Sequence, residues 1–160
     1  MIDLLMGGSP CQGFSFAGKQ LNFEDPRSKL FFNFVEALNE LKPKYFLFEN
    51  VRMKKEHQDV ISECLGVEPI FIDSALVSAQ SRKRLYWTNI QGIEQPKDKG
   101  ILVCDILEDN VDGKYYMSER WHEWWRENKD FQLRTKYSVL NPDKAITMTA
   151  RQYASWNGNF

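Results

Sequence analysis

An α/β fold built on a mostly parallel sheet is predicted by three observations. Short apolar runs recur at Ile2–Met6, Tyr45–Phe48, Pro69–Ile72 and Leu85–Ile90. Between the first two runs, apolar residues return at helical spacing, and a weaker helical segment separates the second from the third. Gly and Pro punctuate the ends of these segments, as they do at element boundaries. The order β-α-β-α-β-β follows, with the last strand antiparallel.

Each element has its own justification. Ile2-Asp3-Leu4-Leu5-Met6, stopped by Gly7-Gly8, reads as a short buried strand. Residues 12–25 read as a loop carrying Gly13 and Gly18. Asp25-Pro26 has the pattern of an N-cap followed by proline in the first turn. Leu30, Phe31, Phe34, Val35, Leu38 and Leu41 then mark an apolar helix face, which Lys42-Pro43 ends. The run Tyr45–Phe48 is the second strand and leads into Glu49-Asn50-Val51. A second helix is expected over Lys55–Leu65, with Val60, Ile61, Cys64 and Leu65 apolar and Gly66 as C-cap. The third and fourth strands flank the polar segment Ser74–Arg84.

Gln91 to Gly100 is polar, contains Pro96, and reads as a boundary beyond which the βα rhythm stops. Residues 1–95 are expected to form the α/β portion and 96–160 a second region. Ile101–Leu107 is a short apolar patch, and Tyr115–Phe131 reads as a helix with Trp121, Trp124 and Trp125 on one face. That face suits packing better than a ligand site.

The chain has 160 residues, 42% of them hydrophobic and 27% charged, enough to bury a core and too apolar for a disordered chain. Its net charge of −1 creates no global field for a polyanion, so any nucleic-acid contact falls to local patches such as Arg52–Lys55 and Arg82-Lys83-Arg84. Cys11, Cys64 and Cys104 lie far apart with no Cys-x-x-Cys or Cys/His pairing, which argues against both a metal site and a disulfide framework. With no basic leader and no apolar run near the ~18 residues of a membrane helix, a soluble cytoplasmic domain is expected.

Cys11 sits in Gly7-Gly8-Ser9-Pro10-Cys11-Gln12-Gly13-Phe14-Ser15, just past the first strand. Backbone N–H groups of a tight turn can favour a thiolate there, although a partly buried, inert thiol fits the turn as well. Topology bears on the choice. Ligands of open α/β sheets bind outside the carboxyl ends of the parallel strands. Cys11 follows the end of the first strand and Glu49 lies at the end of the second. A parallel third strand sends Ser74–Arg84 from the same edge, and an antiparallel fourth strand begins there, beside Arg82 and Arg84. A thiol, a carboxylate and two guanidiniums are thereby gathered in one crevice.

Such a set suits an electron-poor ring. A thiolate adding at C6 of cytosine makes C5 nucleophilic, a carboxyl group at N3 offsets the charge that develops, and a guanidinium at O2 orients the base. A stacked base is out of reach, so the cytosine must be flipped from the duplex.

Three strings carry a family resemblance. Gly8-Ser9-Pro10-Cys11-Gln12-Gly13-Phe14-Ser15 resembles the Pro-Cys-Gln motif of the DNA cytosine-5 methyltransferases. Glu49-Asn50-Val51 resembles their Glu-Asn-Val motif, and Gln80-Ser81-Arg82-Lys83-Arg84 their Gln-x-Arg-x-Arg motif, in the family's order. The resemblance implies a Rossmann-like, S-adenosylmethionine-dependent methyltransferase sheet acting on double-stranded DNA in a bacterial or phage-infected cell. It implies Cys11 as nucleophile, Glu49 at N3 and the exocyclic amine, and Arg84, supported by Arg82, at O2. Pro10, Gln12, Ser15, Asn50 and Gln80 are implied to shape the pocket or contact DNA. Residues 96–160 fall where the family places part of its target-recognition region. Lys144–Arg151 is similar to its Thr-Leu element, with Met148 in place of Leu, which implies Thr147, Thr149 and Arg151 as base readers.

The chain also departs from the family. The Gly-rich cofactor turn belongs upstream of Pro-Cys-Gln, where only ten residues stand, and Gly7-Gly8 does not replace it. No cofactor-binding residue is identifiable, so S-adenosylmethionine is expected to bind mainly outside this chain, on a complementary polypeptide. The resemblance therefore reaches the family's middle portion, as a truncated copy or one piece of a split enzyme. A non-catalytic DNA-binding relative and a thiol-dependent enzyme of free pyrimidine nucleotides are the alternatives; retention of Cys11, Glu49 and Arg84 together speaks against the first.

Overall fold

The computed structural model describes residues 2–10, 29–116, 118–127 and 143–147. The elements of its first half are β1 (Leu4–Gly7), α1 (Leu30–Leu41), β2 (Tyr45–Val51), α2 (Lys55–Leu65), β3 (Ile70–Asp73) and β4 (Lys83–Thr88). They form one four-stranded sheet in the order β1-β2-β4-β3. β1 pairs parallel with β2, while β4 pairs antiparallel with both β2 and β3. The mixed α/β sheet with an antiparallel last strand agrees with the expectation from sequence. Strand limits move by one to three residues: β1 takes in Gly7, β2 runs on through Glu49 to Val51, and β4 begins at Lys83, so Arg84 lies inside the strand.

One face of the sheet carries the core. Strand alternation puts Phe46, Phe48 and Asn50 of β2 on the same face as Leu85 and Trp87 of β4, and all five are buried. α1 and α2 both pack there, through Phe31 on one helix and Ile61 and Leu65 on the other. Phe48 is the hub. Its ring lies 5.2 Å from Phe31, 5.0 Å from Phe34 and 6.0 Å from Trp87, all inclined, as aromatic quadrupoles prefer. The Trp87 indole N–H reaches the core's rim and donates to Ser62 Oγ at 3.0 Å.

Both helix stops lie where the sequence puts them. Lys42 is left-handed at φ 44° and returns its N–H to Leu38 O, with Pro43 blocking continuation. Gly66 closes α2 at φ 69°, its N–H donated to Ser62 O. The faces differ in detail. Leu30 and Leu41 are exposed, because the core stripe of α1 runs through Phe31, Phe34, Val35 and Leu38. In α2 the buried stripe is His57, Ile61, Ser62 and Leu65, and Cys64 faces solvent. Burial, followed by the charge of Glu63, pushes the Cys64 thiol above its ordinary pKa. The capping pair Asp25-Pro26 lies outside the described residues.

The chain divides into two compact units, Met1–Asp73 with Lys83–Gln95, and Ser74–Arg82 with Pro96–Phe160. The second contains 3₁₀ turns at Ser74–Leu76, Val103–Ile106 and Gly113–Tyr115, and the helix α3 (Glu119–Glu127). In α3 the rings of Trp121 and Trp124 lie 5.8 Å apart, with Trp124 exposed. The Trp125 side chain, the expected helical stretch from 128 to 131 and residues 148–160 lie outside the described residues. No helix among the described residues is long and apolar enough to cross a membrane.

Candidate active site

The sheet face opposite the core carries the site. Val51 pairs with Arg84 and Glu49 with Tyr86, so Glu49 and Arg84 are diagonal neighbours on one face. Arg84 Nε lies 2.7 Å from Glu49 Oε1. The guanidinium is mostly buried, with 14% of the side chain exposed, while the Glu49 side chain is 35% exposed. Arg84 Nη1 also donates to Lys83 O at 2.8 Å. A guanidinium has five N–H donors, so the fork keeps donors for a ligand after both contacts. Among the described residues Glu49 Oε2 takes no hydrogen bond.

The turn after β1 closes against this pair. A Cβ on Gly8 would stand 2.9 Å from Glu49 O and 3.3 Å from Glu49 Oε2, so only glycine lets the chain pass that close. Gly8→Ala is therefore expected to cost about 1–3 kcal/mol and to push the carboxylate off Arg84. Urea unfolding measures the cost, and an unchanged midpoint would show that the turn has slack.

From the core face, Asn50 fixes the next residue of the turn. It is 1% exposed, donates from Nδ2 to Ser9 Oγ at 3.0 Å, and accepts the Val51 N–H at Oδ1 at 2.8 Å. The strand end carrying Glu49 and the turn leading through Pro10 into Cys11 are thus joined by a buried amide. Ser9 was not among the residues singled out from sequence; its place inside the Pro-Cys-Gln string was the only signal.

Pro10 is half-buried at the end of the described turn; Cys11, Gln12 and Ser15 lie outside the described residues. Gln80 and Arg82 belong to the second unit, where Gln80 forms a parallel bridge with Ala145 and Arg82 is exposed. Thr147 donates its hydroxyl to Ser81 O at 2.9 Å, whereas Thr149 and Arg151 lie outside the described residues. Among the described residues, no cluster of three or more His, Cys, Asp or Glu side chains could hold a metal ion.

The model of the C-5 cytosine-specific DNA methylase family matches residues 1–67, the stretch holding the turn, α1, β2 and the Glu49 strand end. The chain is 35% identical to the type II methyltransferase M1.ScrFI of Lactococcus lactis subsp. cremoris, across 94% of this chain and 46% of that protein. It belongs to the C-5 cytosine-specific DNA methylase family. Two further methylases extend the likeness. The orphan methyltransferase M.SPRI of Bacillus phage SPR is 35% identical across 74% of this chain and 38% of its own length. The type II methyltransferase M.Eco47II of Escherichia coli is 55% identical across 72% of this chain and 27% of its own length. The chain thus spans less than half the length of each of these methylases.

The family's methyl donor, S-adenosylmethionine, can be tested against the glycines. Gly8 is occupied by its approach to Glu49, and a Cβ on Gly7 would stand 2.7 Å from the Phe34 ring. Both serve internal packing and neither opens a cradle for a cofactor. Gly7 and Gly8 therefore do not fit the donor.

Proposed function

We propose that this chain carries the cytosine-activating centre of a DNA cytosine-5 methyltransferase. The observation that carries the reading is the Arg84–Glu49 pair, 2.7 Å apart and braced against the Gly8–Ser9 turn that leads into Cys11. On this reading Cys11 is the nucleophile. Its thiolate forms a bond to C6 of a flipped cytosine, and the electrons of the 5,6 double bond make C5 nucleophilic. Glu49 meets N3 and the exocyclic amine through Oε2, the oxygen that takes no hydrogen bond among the described residues. Arg84 meets O2 with the guanidinium donors that remain, and both lower the energy of the charged ring. Once C5 carries its methyl group it loses its proton to a base, the 5,6 double bond re-forms, and the thiolate leaves.

Asn50 and Ser9 act as positioning residues, which accords with an amide 1% exposed. Pro10, Gln12, Ser15 and Gln80 shape the pocket or contact the duplex. Arg82 supports Arg84, and residues 96–160 serve target recognition, with Thr149 and Arg151 as the side chains for base contact. Thr147 keeps its oxygen lone pairs after donating to Ser81.

We further infer that S-adenosylmethionine binds mainly on a complementary polypeptide. Two features support this: glycines already filled by Glu49 and Phe34, and an edge strand, β1, whose Leu4 and Met6 are exposed. Calorimetric titration of the chain alone is expected to show no S-adenosylmethionine binding up to about millimolar concentration. Micromolar affinity would overturn the inference.

The function itself is tested by trapping. The chain, expressed together with its flanking coding sequence, is mixed with cofactor and duplex containing 5-fluorocytosine, whose C5 cannot release a proton. A denaturation-resistant adduct mapped to Cys11 is the expected result. Methyl transfer without any adduct would exclude the covalent route.

A further inference from the structure

In the second unit, Lys144 ties together two stretches distant in sequence. Its ammonium donates to three backbone carbonyls, Ala75 O at 2.7 Å, Ser78 O at 3.1 Å and Ile101 O at 2.5 Å. These are all the donors a lysine has, and each bond is strengthened by the charge. Two of the carbonyls belong to the Ser-rich loop that begins at the Ser74–Leu76 turn, and the third lies beyond the polar Gln91–Gly100 stretch.

The residues after Lys144 pair with the same loop. Ala145 donates its N–H to Ala79 O at 2.7 Å and accepts from Ser81 N at 2.8 Å, a parallel bridge centred on Gln80. Thr147 Oγ1 donates to Ser81 O, and the Gln80 amide reaches Ile146 O at 3.4 Å. The loop is closed on itself as well: Ser74 Oγ donates to Gln80 O at 2.6 Å and Ser74 N to Arg82 O at 3.3 Å. Lys144–Thr147 and Ala79–Arg82 are thereby one hydrogen-bonded body.

We propose that Lys144 is a positioning residue that fixes the backbone from which Arg82 is presented. The proposal rests on the function proposed above. An arginine side chain has many rotamers, and its planar fork meets a base only if it starts from a fixed Cα. Arg82 is exposed, so its starting point is set by the hydrogen bonds of Gln80, Ser81 and its own carbonyl. All of these sit on the body that Lys144 pins. Neither composition nor periodicity marks this lysine, because its three partners are 43 to 69 residues away.

Lys144→Met keeps the length and unbranched shape of the side chain and removes the three donors. Hydrogen exchange on the full chain is expected to show protection of the Ser78, Ser81 and Ala145 amides falling about tenfold or more, with the β2 and β4 amides unchanged. In the protein expressed with its flanking coding sequence, kcat for methyl transfer is expected to fall about tenfold while KM for the methyl donor stays within about twofold. A lysine that only holds the fold together would lower protection across the chain, including the β2 and β4 amides, and the folded, active fraction with it. Unchanged exchange at Ser81 and Ala145, chain-wide loss of protection, or a wild-type kcat each overturns the proposal. If the wild-type protein neither transfers methyl groups nor forms an adduct at Cys11, the methyltransferase reading fails and takes the role of Lys144 with it. A wild-type protein that is active, beside a Lys144→Met protein equally active, removes this proposal alone.

Discussion

Cys11→Ser is expected to abolish methyl transfer, a loss of about 10⁴-fold or more, while leaving the fold intact. The two side chains are nearly the same size, so the turn that follows Ser9 has no steric reason to change. What changes is the proposed nucleophile. A cysteine thiol ionises near pH 8.5 and holds a few per cent of thiolate at neutral pH before any help from its surroundings, whereas a serine hydroxyl holds essentially none. On the proposed mechanism addition to C6 is the step that makes C5 reactive, so nothing downstream compensates for its loss. The clean measurement is incorporation of tritiated methyl groups into duplex DNA by the protein expressed with its flanking coding sequence, run beside a urea unfolding curve. Turnover by the serine variant within about tenfold of wild type would rule out the covalent route, and a collapsed unfolding curve would mean that the loss came from folding.

The fold was readable where one local rule decides the outcome. Lys42-Pro43 and Gly66 end their helices because backbone geometry at a helix stop depends on the residues there and on little else. Which residues face inward was readable only in part. Leu30 and Leu41 are as apolar as Leu38, yet a helix of this width buries a single stripe, and the choice of stripe is made by Phe48 on a strand distant in sequence. The same applies to Cys64, which yields its place to Ser62 because Ser62 can accept the Trp87 N–H. At the site, the apposition of Glu49 and Arg84 followed from an antiparallel β4, but their contact depends on register, and a slip of one residue would send Arg84 into the core. The Asn50–Ser9 bond had no signal beyond the place of Ser9 in the Pro-Cys-Gln string, and the Lys144 cluster had none, both being hydrogen bonds between distant segments.

That dependence on register makes Trp87 the most consequential core residue. Trp87→Ala is expected to destabilise the protein by about 3–5 kcal/mol, a large part of the ~5–15 kcal/mol that holds a domain of this size together. Trp87 is fully buried, touches the Phe48 ring and donates to Ser62, so its removal opens a cavity and leaves Ser62 Oγ without that donor. The effect reaches the site because Trp87 pairs directly with Phe48, while Glu49 and Arg84 stand on the opposite face of the same two strands. Burial of Phe48, Leu85 and Trp87 on one side is what turns Glu49 and Arg84 to the other. Urea unfolding of the chain is expected to show the midpoint falling with little change in slope. Trp87→Phe, which keeps a ring and loses the hydrogen bond to Ser62, is expected to recover more than half of the loss. Equal destabilisation by the two variants would place the weight on the indole N–H instead of on packing, and β4 would then be held in register by Ser62.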